Sequence, residues 1–154
     1  MSLFALFISY GFYGLFLISI ISSIIPIPTE PVVIGLLEVG KNPELILILL
    51  TIGSIIGAYL GYLVGKYGLR KIIPFHNREK EQRMQAYFNK YGAIFLLFSP
   101  WIPFMGDLAP MVAGVEKYEF KRFLIVISMA KIIKSIGIIY LSIRIIDWWT
   151  LVAR

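Results

Sequence analysis

The stretch Ile25-Pro26-Ile27-Pro28-Thr29-Glu30-Pro31-Val32 decides how this chain folds. It lies at the end of residues 2–29, which carry no charge and are long enough to cross a hydrocarbon core of about 30 Å. Proline lacks a backbone donor and disfavours helix at the residue before it, so a helix from about residue 10 should stop near residue 25. A second arm over residues 32–39 ends at Gly40-Lys41-Asn42-Pro43 and is too short to span. The pattern predicts a re-entrant helical hairpin whose tip, with Pro26, Pro28, Pro31 and the acid Glu30, lies inside the membrane. The segment is too long, and lacks the basic start, to be a cleaved signal.

Composition supports a bilayer as the solvent. Of 154 residues 58% are hydrophobic, 15% aromatic and only 16% charged, with a mean hydropathy of +0.81. Soluble domains are nearer one quarter charged. The absence of cysteine removes a disulfide scaffold, thiolate catalysis and thiolate metal sites. The net charge of +6 could suggest nucleic acid, but basic loops retained on the cytoplasmic side explain it more simply.

Residues 45–65 form a complete span with Gly53, Gly57, Gly61 and Gly65 on one face. Such a face ordinarily packs closely on another helix; the alternative is a groove for a lipid tail. Residues 66–90 hold seven basic residues, with Met84, Tyr87, Phe88 and Tyr91 at helical spacing, as on a surface helix. His76 reads as a solvated loop residue. Residues 93–115 are apolar but interrupted by Pro100, Pro103, Gly106, Asp107 and Pro110, which predicts a second re-entrant hairpin. Residues 123–146 form the last span, carrying Lys131 and Lys134, and Asp147-Trp148-Trp149 marks an interface.

The hairpins match. Tyr13-Gly14 precedes Pro26 much as Tyr91-Gly92 precedes Pro103, and Glu30 and Asp107 each follow their proline by four. Each hairpin then reaches a glycine, Gly40 or Gly114, a charged turn and a full span. The series predicts one all-α membrane domain of two repeats, residues 10–66 and 91–146, with an amphipathic linker over 67–90 and an interfacial tail over 147–154. A re-entrant second hairpin puts ten of the fifteen Lys and Arg residues on one side, which the positive-inside rule makes cytoplasmic. The repeats are then inverted, a transporter arrangement whose site lies at the helix breaks. The location expected is the cell membrane, multi-pass, with residues 66–90 cytoplasmic.

Glu30, Asp107, Lys131 and Lys134 all fall inside the apolar slab. Each costs roughly 2.5–3.5 kcal/mol if left alone there, so pairing of the lysines with the carboxylates is expected. Such a cluster could simply hold the hairpins in place, yet apolar residues of equal volume would often do that as well. A carboxylate at a helix break suits substrate binding or proton coupling better. No Ser/His/Asp set, metal-ligand spacing or phosphate loop is present, so neither an enzyme nor a cofactor or metal is expected.

Pro26-Ile27-Pro28-Thr29-Glu30, Tyr91-Gly92, residues 103–107 and Ala113-Gly114 resemble the DedA superfamily, also called VTT or SNARE-associated membrane proteins. The run from Leu96 to Leu108, with Lys131 and Trp148-Trp149 downstream, looks most like its YqaA-type branch. The resemblance implies two facing re-entrant hairpins and a role in moving lipids, polyprenyl phosphates or phospholipids, across bilayers. It carries Glu30 onto the family's first-hairpin acid and Asp107 onto the second. The chain departs from the commoner bacterial pattern, which has an arginine three residues before the hairpin proline and another three after, where Pro100 and Gly106 stand here. Lys131 and Lys134 offer positive charge in their stead. The functions expected are a lipid flippase or scramblase with membrane lipids as partners and protons as a candidate coupling ion. The alternatives are a proton-coupled solute transporter and a non-transporting scaffold; a second copy of the chain is a candidate partner.

Overall fold

The computed structural model describes residues 3–25, 27–69, 71, 78–102 and 105–153, with the backbone alone for 78, 80, 81, 84 and 105–107. Pro26, His76 and Pro103 lie outside these residues. Among the described residues seven α-helices run in order: α1 (Leu3–Ser9), α2 (Gly11–Ser22), α3 (Glu30–Glu38), α4 (Pro43–Leu63), α5 (Arg78–Phe98), α6 (Met105–Val115) and α7 (Phe120–Val152). α4 widens at its end into a π-helical turn, Val64–Leu69, and a 3₁₀ turn, Ser99–Trp101, links α5 towards α6. Among the described residues there is no strand.

Local chemistry explains where the helices begin and end. α3 opens with Glu30 and Pro31 in its first turn, where proline's missing donor goes unmissed. It closes at Gly40, whose φ of +79° lets the Lys41 N–H donate to the Leu36 carbonyl at 3.0 Å. α4 follows at once, capped by the Asn42 side chain, which accepts from the Glu44 N–H at 2.9 Å, with Pro43 as its first residue. The second hairpin closes the same way, but on Lys117, with φ of +53° and the Tyr118 N–H donating to the Ala113 carbonyl at 2.9 Å. The left-handed closing residue thus corresponds to Lys117 rather than to Gly114.

Gly114 instead lets α6 approach α4, since a Cβ there would run into the Tyr62 carbonyl oxygen. Three further elements differ from the sequence reading. α5 is continuous across residues 90–91, so the surface helix and the first arm of the second hairpin are one rod. Pro110 stands inside α6 without ending it. α7 runs on through Asp147, Trp148 and Trp149 instead of stopping before them.

Two apolar cores form. The first joins Leu15 and Ile18 of α2, Val32, Val33 and Leu36 of α3, Ile46 and Leu50 of α4, and Ile139 of α7. The second joins Leu96 of α5, Ala109 and Ala113 of α6, Phe123 and Ile127 of α7, and Ala58 and Tyr62 of α4, with Tyr118. α4 therefore enters through the first core and leaves through the second, and α7 does the reverse, so the two long helices run antiparallel. Pro43–Leu69 and Phe120–Val152 each contain an 18-residue stretch of mean hydropathy 2.1 and 2.0 respectively, long and apolar enough to cross a membrane. Rows of exposed aliphatic side chains, Ile48, Ile52 and Ile56 on α4 and Ile125, Ile132 and Ile136 on α7, cover their outer faces. A lipid environment accounts for so much exposed apolar surface.

The glycine face of α4 seats an arm of each hairpin. A Cβ on Gly53 would lie 2.7 Å from the Ser19 Cβ of α2, and one on Gly57 would strike the Ile20 carbonyl oxygen. Gly61 comes next, 3.4 Å from Pro110 of α6 by the same measure, and a Cβ on Gly65 would strike the Met111 carbonyl oxygen. Gly57→Leu and Gly65→Leu are each expected to lose more stability than the ~1–3 kcal/mol of ordinary overpacking, because backbone must give way. Gly68→Ala, where the nearest atom is Val64 Cγ1 at 3.8 Å, should be tolerated. Denaturant titration in micelles checks all three.

Candidate functional site

Between the two cores lies a polar waist. It is built from Gly53, Ser54 and Gly57 at the middle of α4, Ala130, Lys131 and Ser135 on α7, and Ser19 to Ser23 at the end of α2. Lys131 is only 3% exposed, and its Nζ donates to Ser23 Oγ at 3.3 Å. Ser23 caps the C-terminus of α2, just before the first hairpin's break. Its hydroxyl lies 3.2 Å from the Ser19 carbonyl and 3.1 Å from the Ser54 carbonyl, so it can accept from Lys131 and donate to either. Helix C-termini carry partial negative charge, which favours an ammonium group at this end of α2. Gly57 makes the arrangement fit, since a Cβ there would lie 2.6 Å from Ser23 Cβ.

Glu30 occupies the opposite pole of the same break. It is half-buried in the first turn of α3, where helix N–H groups favour a carboxylate. Among the described residues neither Glu30 nor Lys134 forms an ion pair, so the expected pairing of Glu30 with a lysine is not seen. Lys134 is half-buried while Lys131, three residues before it, is fully enclosed. Asp107 is the third residue of α6, again in the first turn of a hairpin's second arm, and its side chain lies outside the described residues. Of the hairpin prolines, Pro28 and Pro31 are exposed, whereas Pro100 and Pro110 are buried. Gly106 lies in the first turn of α6.

The halves correspond at one constant spacing of 77 positions, that from Glu30 to Asp107. At this spacing Pro26 meets Pro103, Ser22 meets Ser99 and the closing Gly40 meets Lys117. Core residues Val32, Leu36, Ile46 and Leu50 meet Ala109, Ala113, Phe123 and Ile127, and Tyr62 meets Ile139, each lent to the other half's core. Ser54 meets Lys131, so an enclosed lysine stands where the earlier position has a buried serine. The pairs Tyr13-Gly14 and Tyr91-Gly92 are one position out of this register.

Sequence reasoning passed over the serines. Ser19, Ser23, Ser99, Ser135 and Ser142 are all buried, and the available signal was hydroxyls recurring on helix faces that are otherwise apolar. It also passed over Tyr62, whose hydroxyl donates to the Tyr118 carbonyl at 2.6 Å and ties α4 to the turn after α6. Glu116, buried in that turn, went unnoticed too. Among the described residues no three His, Asp or Glu side chains are grouped as a metal site.

A VTT-domain profile matches residues 27–144, and the chain belongs to that family, the DedA/VTT superfamily of membrane proteins. It is similar to the inner membrane protein YqaA of Escherichia coli, 24% identical over 140 residues covering 89% of this chain and 94% of the relative. An alkaline phosphatase-like protein of Lactococcus lactis is 28% identical over 160 residues, covering 94% and 75%. Undecaprenyl phosphate transporter A of Staphylococcus aureus is 24% identical over 153 residues, covering 90% and 75%. No solved structure matches the chain.

Ser23→Ala should cost about 1.5–3 kcal/mol, the scale for a hydrogen bond to a charged group. Ser22→Ala, whose hydroxyl only returns to the Ser19 carbonyl, should cost less than ~1 kcal/mol. Equal losses in micelle unfolding would show that the Lys131 contact carries no special weight.

Proposed function

We propose that this protein moves lipids between the leaflets of a cell membrane, as a flippase or scramblase of phospholipids or polyprenyl-phosphate lipids. The observation that carries the reading is Lys131: an enclosed ammonium, midway along two antiparallel spans and bonded to the end of α2. A buried charge is costly as a fastener, and a cation at a helix break is suited to receive a phosphate headgroup. The name of the Staphylococcus aureus relative favours a phosphate-bearing lipid. The name of the Lactococcus lactis relative raises a hydrolase, but among the described residues the waist offers serines and a lysine with no histidine beside them.

The constant spacing, and the exchange of Tyr62 and Ile139 between the cores, favour two inverted repeats with re-entrant hairpins. In that arrangement the first hairpin enters from outside and the second from the cytoplasm, with the basic residues of 66–90 cytoplasmic. Lys131 and Ser23 hold the headgroup, Glu30 and Asp107 exchange protons as it passes, and Lys134 lies at the rim of the path. The lipid tails stay in the bilayer beside the exposed aliphatic faces of α4 and α7.

Two measurements test this. Liposomes with a fluorescent phospholipid or a labelled polyprenyl phosphate should lose leaflet asymmetry when the protein is added, without leaking a soluble dye. Glu30→Gln and the double variant Asp107→Asn with Lys131→Met should fold and move lipid at least tenfold more slowly. Folded variants at the native rate would reduce the cluster to a fastening, and dye leakage or pH-driven solute uptake would favour a solute transporter. For the topology, single cysteines at Arg83 and Lys117, both exposed, should label from the same, cytoplasmic side. Labelling from opposite sides removes the re-entrant arrangement.

A further inference from the structure

Away from the waist, α5 and α6 enclose a groove of about 340 Å³ that the proposed function does not use. Its wall on α5 is Tyr87, Phe88, Tyr91 and Phe95, its wall on α6 is Val112, and the buried Glu116 of the turn after α6 closes it at one side. The floor exists because residue 92 is glycine. A Cβ there would lie 2.7 Å from the Phe88 ring and 3.2 Å from the Tyr118 ring, which stack edge-to-face at 5.3 Å. The surface presented is almost wholly apolar.

Its position tells what kind of molecule it faces. All the charges of α5 fall within residues 78–90, and residues 91–98 have none, so the groove begins where the helix passes from polar to apolar. Tyr87 and Tyr91, 72% and 44% exposed with ring centroids 5.3 Å apart, stand at that level. Tyrosines are enriched at the boundary between headgroups and hydrocarbon. Lys90 is exposed there too, its Nζ 5.3 Å from the centre of the Tyr91 ring.

We propose that this groove seats one acyl chain of an anionic phospholipid, with the lipid phosphate at Lys90 and the tyrosine rims beside the glycerol. From Tyr87 to Phe95 the groove follows α5 for roughly 12 Å, at 1.5 Å per residue. A helix from a second copy is about 10 Å across, so over the same length it needs more room than the groove holds; a hydrocarbon chain does not. The inference rests on placement in a membrane and not on lipid movement through the waist.

Native mass spectrometry of the chain in micelles, titrated with phosphatidylglycerol or phosphatidylcholine, tests it. The native protein should bind one phosphatidylglycerol at least tenfold more tightly than phosphatidylcholine. Val112→Trp, filling the groove with its helical circular dichroism retained, should weaken that binding tenfold or more. Lys90→Ala should bring the two lipids level. Native affinity in Val112→Trp, or an undiminished preference in Lys90→Ala, overturns the proposal. So does a Val112→Trp variant that turns a dimer into a monomer while lipid binding holds, since the groove then belongs to a second copy. If Val112→Trp loses its helical signal, Tyr91→Ala is read by the same criterion. Glu30→Gln, which stops lipid movement under the proposed function, should keep this binding; losing it there would place the lipid at the waist and overturn the groove.

Discussion

The structure depends on how closely α4 can approach two other backbones. In a bilayer there is no water to drive helices together, and association rests on contact and on satisfied polar groups. Gly53 and Gly57 bring α4 onto α2, Gly65 and Gly114 bring it onto α6, and Gly61 stands between. This helix therefore belongs to both halves of the molecule. A helix end enclosed in protein needs partners for its freed polar groups, and α4 supplies part of that cover: its Ser54 carbonyl lies 3.1 Å from Ser23 Oγ at the end of α2.

From that constraint the waist follows. A face of glycine and serine at mid-helix leaves no apolar side chain to fill the space between the two cores, so polar groups meet there. Lys131 enters it from α7 at the position that Ser54 occupies in the first half. A serine can return its hydroxyl to its own helix, as Ser54 does to the Thr51 carbonyl at 2.9 Å. A lysine cannot, and must reach across to another element; it reaches Ser23. A lysine in place of a serine at this spacing thus makes a charged contact with the end of α2.

Much of this was legible in the sequence, because the decisive residues act through the backbone. Proline effects are local, so the helices α2, α3 and α6 were readable as separate segments from the prolines between them, and glycines at spacing four point to one face whatever lies opposite. The partners across that face were not readable: nothing in the sequence distinguishes Gly57, set against α2, from Gly65, set against α6. Gly114 was misread as a closing residue because a glycine near a helix end ordinarily is one, while Lys117 adopts the left-handed turn despite its Cβ. The serines of the waist and the Tyr62 hydroxyl were passed over for a different reason. A hydroxyl in an apolar helix can satisfy itself locally, and only the fold shows which ones reach further.

The helices that follow the two breaks, α3 and α6, are held to the rest of the molecule with different tightness. Where the first hairpin's second arm has Val32 and Leu36, the second has Ala109 and Ala113. The larger residues fill the first core with branched side chains, whereas α6 comes down until its Gly114 meets the backbone of α4. The Tyr62 hydroxyl bond to the Tyr118 carbonyl then fixes the end of that arm, and at the matching position the first core has Ile139, which can form no such bond. Side-chain contacts can exchange rotamers and stay packed, but two backbones in contact cannot slide without separating. The second hairpin's returning arm, α6, is therefore fixed to α4 backbone to backbone. The returning arm of the first, α3, is held by side-chain packing, and the hydrogen bonds at Ser23 secure only the arm before the break.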